Sequence, residues 1–476
     1  MLLIGYNMTK KIFKILGLLL LQFSALTIVA SAQEGGKLYS TYCAGCHGAN
    51  LEGNSASSLI KTEWKYGRSA SLMTRNITFG IPETEMIAWN QVLNKDQVKS
   101  LVDFISEAQK IQPNIDRSIP KQIKTEKYDL KIEEWVVDAI KTPWALEFVS
   151  KDSALVSERR GMLRWIVEGT PFADPVKGVP QSQEFRTGGY MDIAIDPEYQ
   201  KNRWIYLAFS YAPERITDDA APAMTKIVRG KINQNQWIAE QTLFEVPNDL
   251  LVTKGNRWGC RFLFDKAGYL YFSIGDMGYA EDAQDLSKPV AKIYRINPDG
   301  SIPTDNPFIN KPGALPQLFT IGNRNVQGIA QHPDTGEIWF TEHGPMGGDE
   351  LNILKKAGNY GWPDITYGID YDGSVVSTQT NQEGMLQPII YWNPSIAVSP
   401  AEFSDSPLFP QWKNNLFIGA LAFEEVRRLT TNDHKVVQQE MILKGYGRVR
   451  DLKFGPDGAF YVVLNQPDKI LRITPK

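Results

Sequence analysis

One pattern recurs six times in the C-terminal part of the chain: an apolar strand, a turn and a second apolar strand. The copies begin at Pro143, Met191, Cys260, Val326, Ala401 and Val449. Turns such as 265–268, 333–336 and 456–458 are of the kind that joins hairpin strands. Six such units predict an all-β six-bladed propeller around a central channel. The apolar run Leu130–Val137 is expected to complete the last blade and close the ring. A large sandwich or two barrels is the alternative.

The N-terminus has the pattern of an export signal. A lysine-rich start precedes an apolar stretch over 15–30, and Ala30-Ser31-Ala32 forms a small-residue cleavage site. These features favour a cleaved signal peptide over residues 1–32, with an uncleaved anchor as the alternative. Later segments are not apolar enough to cross a bilayer. We therefore expect a periplasmic or otherwise exported protein with no stable membrane span after cleavage.

Three regions follow the signal, as a length of 476 residues leads one to expect. Residues 33–110 are short and helix-like and are predicted to form a small all-α domain. Residues 111–129 are polar, contain Pro113 and Pro120, and are predicted to be a linker. Residues 130–476 are predicted to form the propeller. The formal net charge of −3 provides no basic surface for nucleic acid, which we do not expect as a partner.

The segment Cys43-Ala44-Gly45-Cys46-His47 predicts a covalently attached c-type haem. Cys43 and Cys46 would bond to the haem edge, and His47 would ligate the iron. A zinc site would need further Cys or His ligands, which this region lacks. Cys260 is then left without a partner, so the cysteines do not form a disulfide framework.

The second axial ligand of the haem iron is expected to be a methionine. Met73 and Met86 are available, and Met86 follows an irregular Gly-Ile-Pro loop. A capping pair at 94–97 and apolar residues at helical spacing predict a closing helix after this loop. The order of CxxCH, methionine loop and helix resembles class I cytochrome c, which implies Met86 as the ligand. Met73 stays open as the alternative, and core packing would explain either residue. His/Met ligation raises the haem potential.

The propeller topology gathers polar residues at one end of the channel. Residues just before each first strand and just after each second strand reach the same end. The first group is Trp144, Arg186, Thr187, Arg257, Arg324, Asn325, Arg448 and Arg450, and the second is Asp276, Glu342, His343, Gly344, Pro345 and Ala422. Arginine presents a planar fork suited to carboxylates and phosphates. The five arginines therefore predict a ligand with several acid groups, unless they pair with local Asp and Glu.

Five ordered segments carry a family resemblance: SIGD at Ser273, IGNRNVQGIA at Ile321, EHGPMGGDELNI at Glu342, GNYGWP at Gly358 and RVRDLKFGPDG at Arg448. In these segments the chain resembles the PQQ-dependent soluble sugar dehydrogenases, the glucose/sorbosone and aldose sugar dehydrogenase family. The resemblance implies a six-bladed propeller that binds pyrroloquinoline quinone (PQQ), a tricarboxylate, together with calcium.

The resemblance also implies roles for single residues. Arg324, Asn325, Arg448 and Arg450 would hold PQQ. The backbone carbonyls of Gly344 and Pro345 would help to ligate calcium, for which carbonyl oxygens are suitable ligands. Asp276 matches the aspartate that supports the catalytic base.

The chain departs from the family on the substrate side. Arg257 stands where the family has its catalytic histidine, and an arginine stays protonated at any usable pH. Thr187 replaces a family glutamine and Ala422 a family lysine. A different base is one explanation, with His343, Glu342 or Asp276 available.

Two further explanations of Arg257 remain open, besides a structural ion pair. Arg257 would bind an acidic group on a sugar acid, or catalysis is lost and the propeller is a module that binds PQQ or another anion. The function that we expect is a quinohaemoprotein oxidoreductase. It would oxidise a sugar or related alcohol and pass electrons through haem c to an external acceptor, a cytochrome or a respiratory-chain component.

Overall fold

The computed structural model describes residues 34–53, 56–60, 64, 66, 69–81, 84, 86–111, 118–137, 139–184, 187–213, 222–371 and 374–476. The chain divides into two compact units, one up to Asp116 and one from Arg117. The predicted signal peptide lies outside the described residues. Among the helices of the described part, none is long and apolar enough to cross a membrane.

The N-terminal unit is built from helices. They are α1 (34–42), α2 (Ala44–His47), α3 (Ala70–Phe79) and α4 (Lys95–Ile111). The start of α4 is fixed by a reciprocal cap, because the Gln97 amide donates to Asn94 Oδ1 and the Asn94 amide donates to Gln97 Oε1. Leu101 on α4 is buried in a cluster with Tyr39 and Ile77. The predicted closing helix and its capping pair are thereby confirmed.

The C-terminal unit consists of six antiparallel sheets, five of them with four strands in chain order. The first three sheets are β3 (Pro143–Phe148), β4 (Ser153–Glu158), β5 (Met162–Val167) and β6 (Thr170–Pro171); β7 (Tyr190–Ile195), β8 (Ile205–Tyr211), β9 (Met224–Asn233) and β10 (Gln236–Phe244); and β11 (Gly259–Phe264), β12 (Leu270–Ile274), β13 (Lys292–Ile296) and β14 (Leu318–Thr320). The next two are β15 (Val326–Gln331), β16 (Ile338–Glu342), β17 (Asp349–Ile353) and β18 (Ile390–Trp392); and β19 (Val398–Phe403), β20 (Leu416–Ala420), β21 (Glu425–Asn432) and β22 (Lys435–Lys444).

The sixth sheet joins the two ends of the unit. It contains β23 (Arg448–Phe454), β24 (Phe460–Asn465) and β25 (Lys469–Pro475), followed by β2 (Asp129–Val137) and β1 (Gln122–Lys124). Short helices are α5 (Tyr199–Asn202) and the 3₁₀ turns Asn248–Leu250, Ala280–Gln284 and Pro410–Trp412. The pairing of β2 with β25 confirms the predicted closure by the run at 130–137.

The first strands of the six sheets form a closed ring, since β3, β7, β11, β15, β19 and β23 each contact the next and β23 contacts β3. The six predicted hairpins correspond to the first two strands of the six sheets, so the six-bladed propeller is confirmed. The strand β1 lies within the segment predicted as a linker, because it pairs with β2 from Gln122 to Lys124. The propeller sheet thus begins before the predicted boundary at residue 130.

Candidate functional site at one end of the propeller channel

Every first strand of the propeller carries an irregularity near its start. The register with the second strand shifts between Pro143 and Ala145, Tyr190 and Asp192, Gly259 and Phe262, Val326 and Gly328, Val398 and Ala401, and Val449 and Asp451. Such bulges re-aim the neighbouring side chains and are frequent beside active sites. All six lie at the same end of the channel, which is the end where the predicted rim residues gather.

Arg324 is a buried rim arginine with no carboxylate bound to its guanidinium. Its Nη1 donates to the carbonyl oxygens of His343 (3.1 Å) and Gly344 (2.5 Å), and its Nε is buried without a hydrogen-bond partner in the described part of the chain. The guanidinium lies 5.0 Å from the ring centroid of Trp362. A buried cation with an unused donor is a site prepared for an anion.

Arg448 and Arg450 extend this cationic surface along β23. Arg450 stacks on the ring of Trp144 at 4.0 Å and donates through Nε to Asn465 Oδ1 at 2.7 Å. Burial and the neighbouring Arg448 lower the pKa of Arg450 well below its ordinary value. The Arg448 guanidinium makes no hydrogen bond or ion pair within the described residues, and burial lowers its pKa. Both side chains therefore lack a bound acid.

His343 lies among these arginines. Burial and the charges of Arg324, Arg450 and Arg448 lower its pKa to about 3, so the ring is neutral at physiological pH. Its Nε2 is buried and has no partner in the described part of the chain. The pKa effects place the three arginines near one point, as the topology predicted. Glu342, a second proposed substitute base, accepts a hydrogen bond from the Arg324 amide through Oε2, and burial raises its pKa.

Arg257 forms an ion pair with Asp276, the residue predicted to support a base. Arg257 Nε lies 2.6 Å from Asp276 Oδ1. Asp276 is fully buried and also accepts from the Gly278 amide (3.0 Å) and from Trp362 Nε1 (3.1 Å). Trp362 in turn lies against Arg324. This chain of contacts connects Arg257 to the arginines, so the structure brings the predicted catalytic and cofactor residues to one place.

The remaining predicted residues occupy the wall of the same end. Asn325 is buried, and its Oδ1 accepts from the Gly259 amide at 3.1 Å, which fixes the turn below Arg257. Thr187 Oγ1 donates to the Gly255 carbonyl in the loop that carries Arg257. Ala422 follows β20, and its amide donates to the Ile396 carbonyl. Arg186 lies outside the described residues.

The donor set fits a polycarboxylate. Arg324, Arg448 and Arg450 are partly or fully buried, and no carboxylate of the described residues forms an ion pair with them, although the charge of Glu424 acts on Arg448. Two buried nitrogens beside them have unused hydrogen-bonding capacity. The proposed calcium ligands are less free, because the Gly344 carbonyl accepts from Arg324 and the Pro345 carbonyl accepts from Ser395 Oγ at 2.9 Å. A carbonyl oxygen has two lone pairs, so each keeps one for a cation. The described residues contain no cluster of three His, Cys, Asp or Glu that could bind a metal.

A second group of charges lies along the channel, and we call it the channel cluster. It comprises Glu147, Asp192, Arg261, Glu402, Asp451 and Lys453. Arg261 joins it to the rim, because Nη2 donates to the Arg450 carbonyl and Nε donates to the Gln327 carbonyl at 2.9 Å. Lys453 Nζ lies 2.5 Å from Glu147 Oε1. Four carboxylates thus share two cations.

Lys292 anchors the loop behind Asp276. This fully buried lysine donates through Nζ to the carbonyls of Asp282 (2.9 Å), Ala283 (2.8 Å) and Val290 (2.9 Å). Burial lowers the pKa of Lys292 to about 7. Three acceptors nevertheless require three hydrogens, which only the ammonium has. We therefore treat Lys292 as charged at neutral pH.

The predicted haem residues lie together in the N-terminal unit. Cys43 precedes α2 at its N-cap position and Cys46 lies within α2, both as free thiols, and His47 Nδ1 lies 2.8 Å from the Ser57 carbonyl oxygen. Because a carbonyl only accepts, Nδ1 carries the hydrogen, which leaves Nε2 available to a metal. This is the tautomer that an iron ligand needs.

The two methionines differ in position. Met73 is buried within α3, only 4% exposed, among the apolar side chains of the helical core. Met86 lies in the loop after Gly80, partly exposed, and packs at the edge of the same cluster as Cys43. This arrangement favours Met86 over Met73 as the second ligand, which stays a prediction.

Sequence reasoning did not single out Trp362 and Asn465, which position rim residues. Trp362 connects Asp276 to Arg324, and Asn465 binds Arg450. The GNYGWP segment contains Trp362, so that segment was the available signal. Asn465 gave none.

The chain is similar to known proteins in both sequence and structure. Residues 140–472 match the family Glucose / Sorbosone dehydrogenase, and residues 30–105 match Cytochrome C oxidase, cbb3-type, subunit III. The chain is 36% identical over 351 residues to the aldose sugar dehydrogenase YliI of Escherichia coli, covering 72% of this chain and 92% of that protein. It is 30% identical over 270 residues to quinoprotein glucose dehydrogenase B of Acinetobacter calcoaceticus, covering 51% of this chain and 54% of that protein.

The solved structures agree with the propeller. The soluble aldose sugar dehydrogenase from Escherichia coli in the apo form superposes with a TM-score of 0.67 at 34% identity. The match covers 73% of this chain and all of that one.

Proposed function

Because the chain belongs to the glucose/sorbosone dehydrogenase family and has a cytochrome c domain ahead of its propeller, we propose that it is a quinohaemoprotein oxidoreductase. It oxidises a sugar or related alcohol and transfers the electrons to covalent haem c and then to an external acceptor. The observation that carries the proposal is the cluster of Arg324, Arg448 and Arg450 at the channel end, three cations that form no ion pair with a carboxylate of the described residues.

The cofactor proposed for this cluster is PQQ. A relative at 30% identity is named a quinoprotein, and the three arginines match a tricarboxylate in charge. Arg324, Asn325, Arg448 and Arg450 would hold it, and the carbonyls of Gly344 and Pro345 would hold calcium beside it. When bound, PQQ supplies a quinone that accepts the two electrons of an alcohol oxidation.

The chain's own residues have separate tasks in this proposal. Trp144 and Trp362 provide flat apolar contacts for Arg450 and Arg324, so their guanidinium planes are oriented before an anion arrives. Neutral His343 contributes a buried Nε2 without adding positive charge. These groups bind and orient, and they exclude water from the channel end.

The proton that leaves the substrate hydroxyl needs an acceptor. Arg257 remains protonated and cannot take it. Asp276 is the carboxylate beside it, held by three donors. We propose Asp276 as the proton acceptor, with Arg257 and Trp362 fixing its position.

A haem in the N-terminal unit would be attached at Cys43 and Cys46, and His47 and Met86 would ligate its iron. When bound, it supplies a one-electron carrier. We further propose that the protein is exported, since its first 32 residues have the signal pattern and c-type haem attachment is typical of exported proteins.

Arg257 favours a second candidate function. If no acceptor serves, the propeller is a PQQ- or anion-binding module attached to a cytochrome. One experiment separates the two. Purified full chain with haem is titrated with PQQ and calcium and is then mixed with a panel of sugars and sugar acids while the haem absorbance is followed.

Each outcome has one meaning. Haem reduction by a substrate supports the oxidoreductase. Tight PQQ binding without haem reduction supports the binding module. If PQQ does not bind, both fail. Replacement of Arg448 by Gln should weaken PQQ binding by about 10- to 100-fold, since it removes a charged hydrogen-bond donor.

A further inference from the structure

Within the described residues, the Arg257 guanidinium forms a hydrogen bond through Nε and none through its two Nη atoms. Its Nε is committed to Asp276 at 2.6 Å, and the side chain is 25% exposed. Neither Nη atom has a hydrogen-bond partner within the described residues. A guanidinium bound at Nε keeps its Nη edge in fork geometry, and that edge matches the two oxygens of a carboxylate.

A second cation approaches the same place. Gly278 has a positive φ of 91°, and a Cβ there would lie 3.1 Å from Lys254 Cδ and 3.8 Å from Arg257 Nη2. A Cβ would crowd Lys254, so the glycine lets both cationic side chains lie against the same point of the backbone. Lys254 Nζ donates to the Gly278 carbonyl at 2.9 Å, which fixes the ammonium beside this space.

The loop that carries Arg257 is held in position. Arg257 has φ +57°, a left-handed conformation that is uncommon for a residue other than glycine. The Gly255 carbonyl accepts from Trp258 Nε1 (2.9 Å) and from Thr187 Oγ1 (3.3 Å). Thr187 departs from the family pattern, as Arg257 does, and thus supports the loop that carries Arg257. Strain held by surrounding contacts is typical of functional sites.

A purely structural ion pair does not require these features. Asp276 already has two neutral donors, and an ion pair needs neither the open Nη edge nor the lysine beside Gly278. The arginines that would hold PQQ are separate from this pair, so an acid group bound at Arg257 would be additional to the cofactor's carboxylates.

We propose that Arg257, with Lys254 beside Gly278, binds a carboxylate of the substrate, and that the substrate is a sugar acid and not a neutral sugar. This inference rests on the proposed function, since it names the substrate class of the same site. The Nη edge of Arg257 forms the paired hydrogen bonds, and Lys254 adds charge without a fixed hydrogen bond to the ligand.

The test compares ligands that differ in one group. Full chain with haem, loaded with PQQ and calcium and kept reduced so that no turnover occurs, is titrated calorimetrically with glucose, glucuronate, gluconate and glucose 6-phosphate. We expect at least one of the two acids to bind 10-fold or more tightly than glucose, with an affinity that falls as salt is raised.

Variants connect the selectivity to Arg257. R257Q should weaken binding of the acid by about 10- to 100-fold and remove the preference for the acid over glucose. R257K keeps the charge without the fork and should lose several-fold. K254Q should lose less than R257Q. R203Q, at an exposed arginine directly after α5 in another blade that also has a positive φ, is the matched control and should bind like the parent protein.

Thermal unfolding shows whether R257Q is folded. If it is not, the acid affinities of R257K and K254Q are compared with that of the parent protein instead. Equal affinity for glucose and both acids, or an unchanged acid affinity in R257Q, would overturn the inference. If glucose 6-phosphate binds through Arg257 and the acids do not, the group that Arg257 recognises is a phosphate and not a carboxylate. This result would also overturn the inference. Intact PQQ binding with haem reduction by neutral sugars would sink the inference alone, whereas absent PQQ binding would sink the proposed function.

Discussion

The channel cluster makes the stability of the propeller depend on pH. Glu402 lies on β19, partly exposed, and burial raises its pKa from 4.5 to about 7, with Asp451 and Glu147 adding to the rise and Lys453 opposing it. The folded state therefore holds a proton that the unfolded state has released. As pH rises from about 4.5 to 7, stability falls, and above 7 the whole cost is present.

Replacement of Glu402 by Gln removes this cost. The difference between 4.5 and about 7 corresponds to about 3 kcal/mol, and solvent screening of a partly exposed group reduces it to about 1–3 kcal/mol. E402Q should therefore raise the melting temperature of the propeller by a few degrees at pH 8 and by much less at pH 5.

Scanning calorimetry of the full chain at both pH values measures the effect on the propeller. E383Q is the matched control, since Glu383 is exposed and lies outside the cluster. A lower melting temperature of E402Q at pH 8, or equal shifts at pH 5 and pH 8, would refute the electrostatic reasoning.

Three further predictions concern single contacts. Lys292→Met should destabilise the propeller by about 3–5 kcal/mol, because three buried carbonyls lose a charged donor; an unchanged calorimetric melting temperature would contradict this. Met86→Ala should abolish the methionine-to-iron charge-transfer absorbance. Met73→Ala should keep this absorbance and lower the stability of the N-terminal unit by about 2–4 kcal/mol. The reverse pattern of spectra would identify Met73 as the ligand. Asn94→Ala should destabilise the N-terminal unit by about 1 kcal/mol in chemical unfolding and leave the propeller transition in place. If both units lose stability, or if neither does, the cap does not act locally.

The repeat was readable in the sequence because each blade begins with a buried strand and a turn rich in Gly, Pro and Asp. Gly268 and Gly458, for example, have positive φ at hairpin turns, where glycine is favoured. The gathering of rim residues followed from topology alone, since all six first strands start at the same end.

The hydrogen-bond and ion-pair partners of the rim side chains could not be predicted from the sequence. Local spacing gave no sign that Arg257 would bind Asp276 through Nε, and several interpretations of Arg257 stayed open. Trp362 reaches Asp276 from 86 positions away, which only the closed ring determines. The strand β1 was hidden because Gln122–Lys124 is too short and too polar to stand out from the linker around it.

The seam between β2 and β25 has a consequence for the order of biosynthesis. Lys469 pairs with Glu134 across 335 positions, so an early strand waits for nearly the last residues to be synthesised. Contacts this distant in sequence form late, because the loop they close is long. The CxxCH segment, by contrast, precedes every propeller strand. The ribosome thus releases this segment while the ring is still open.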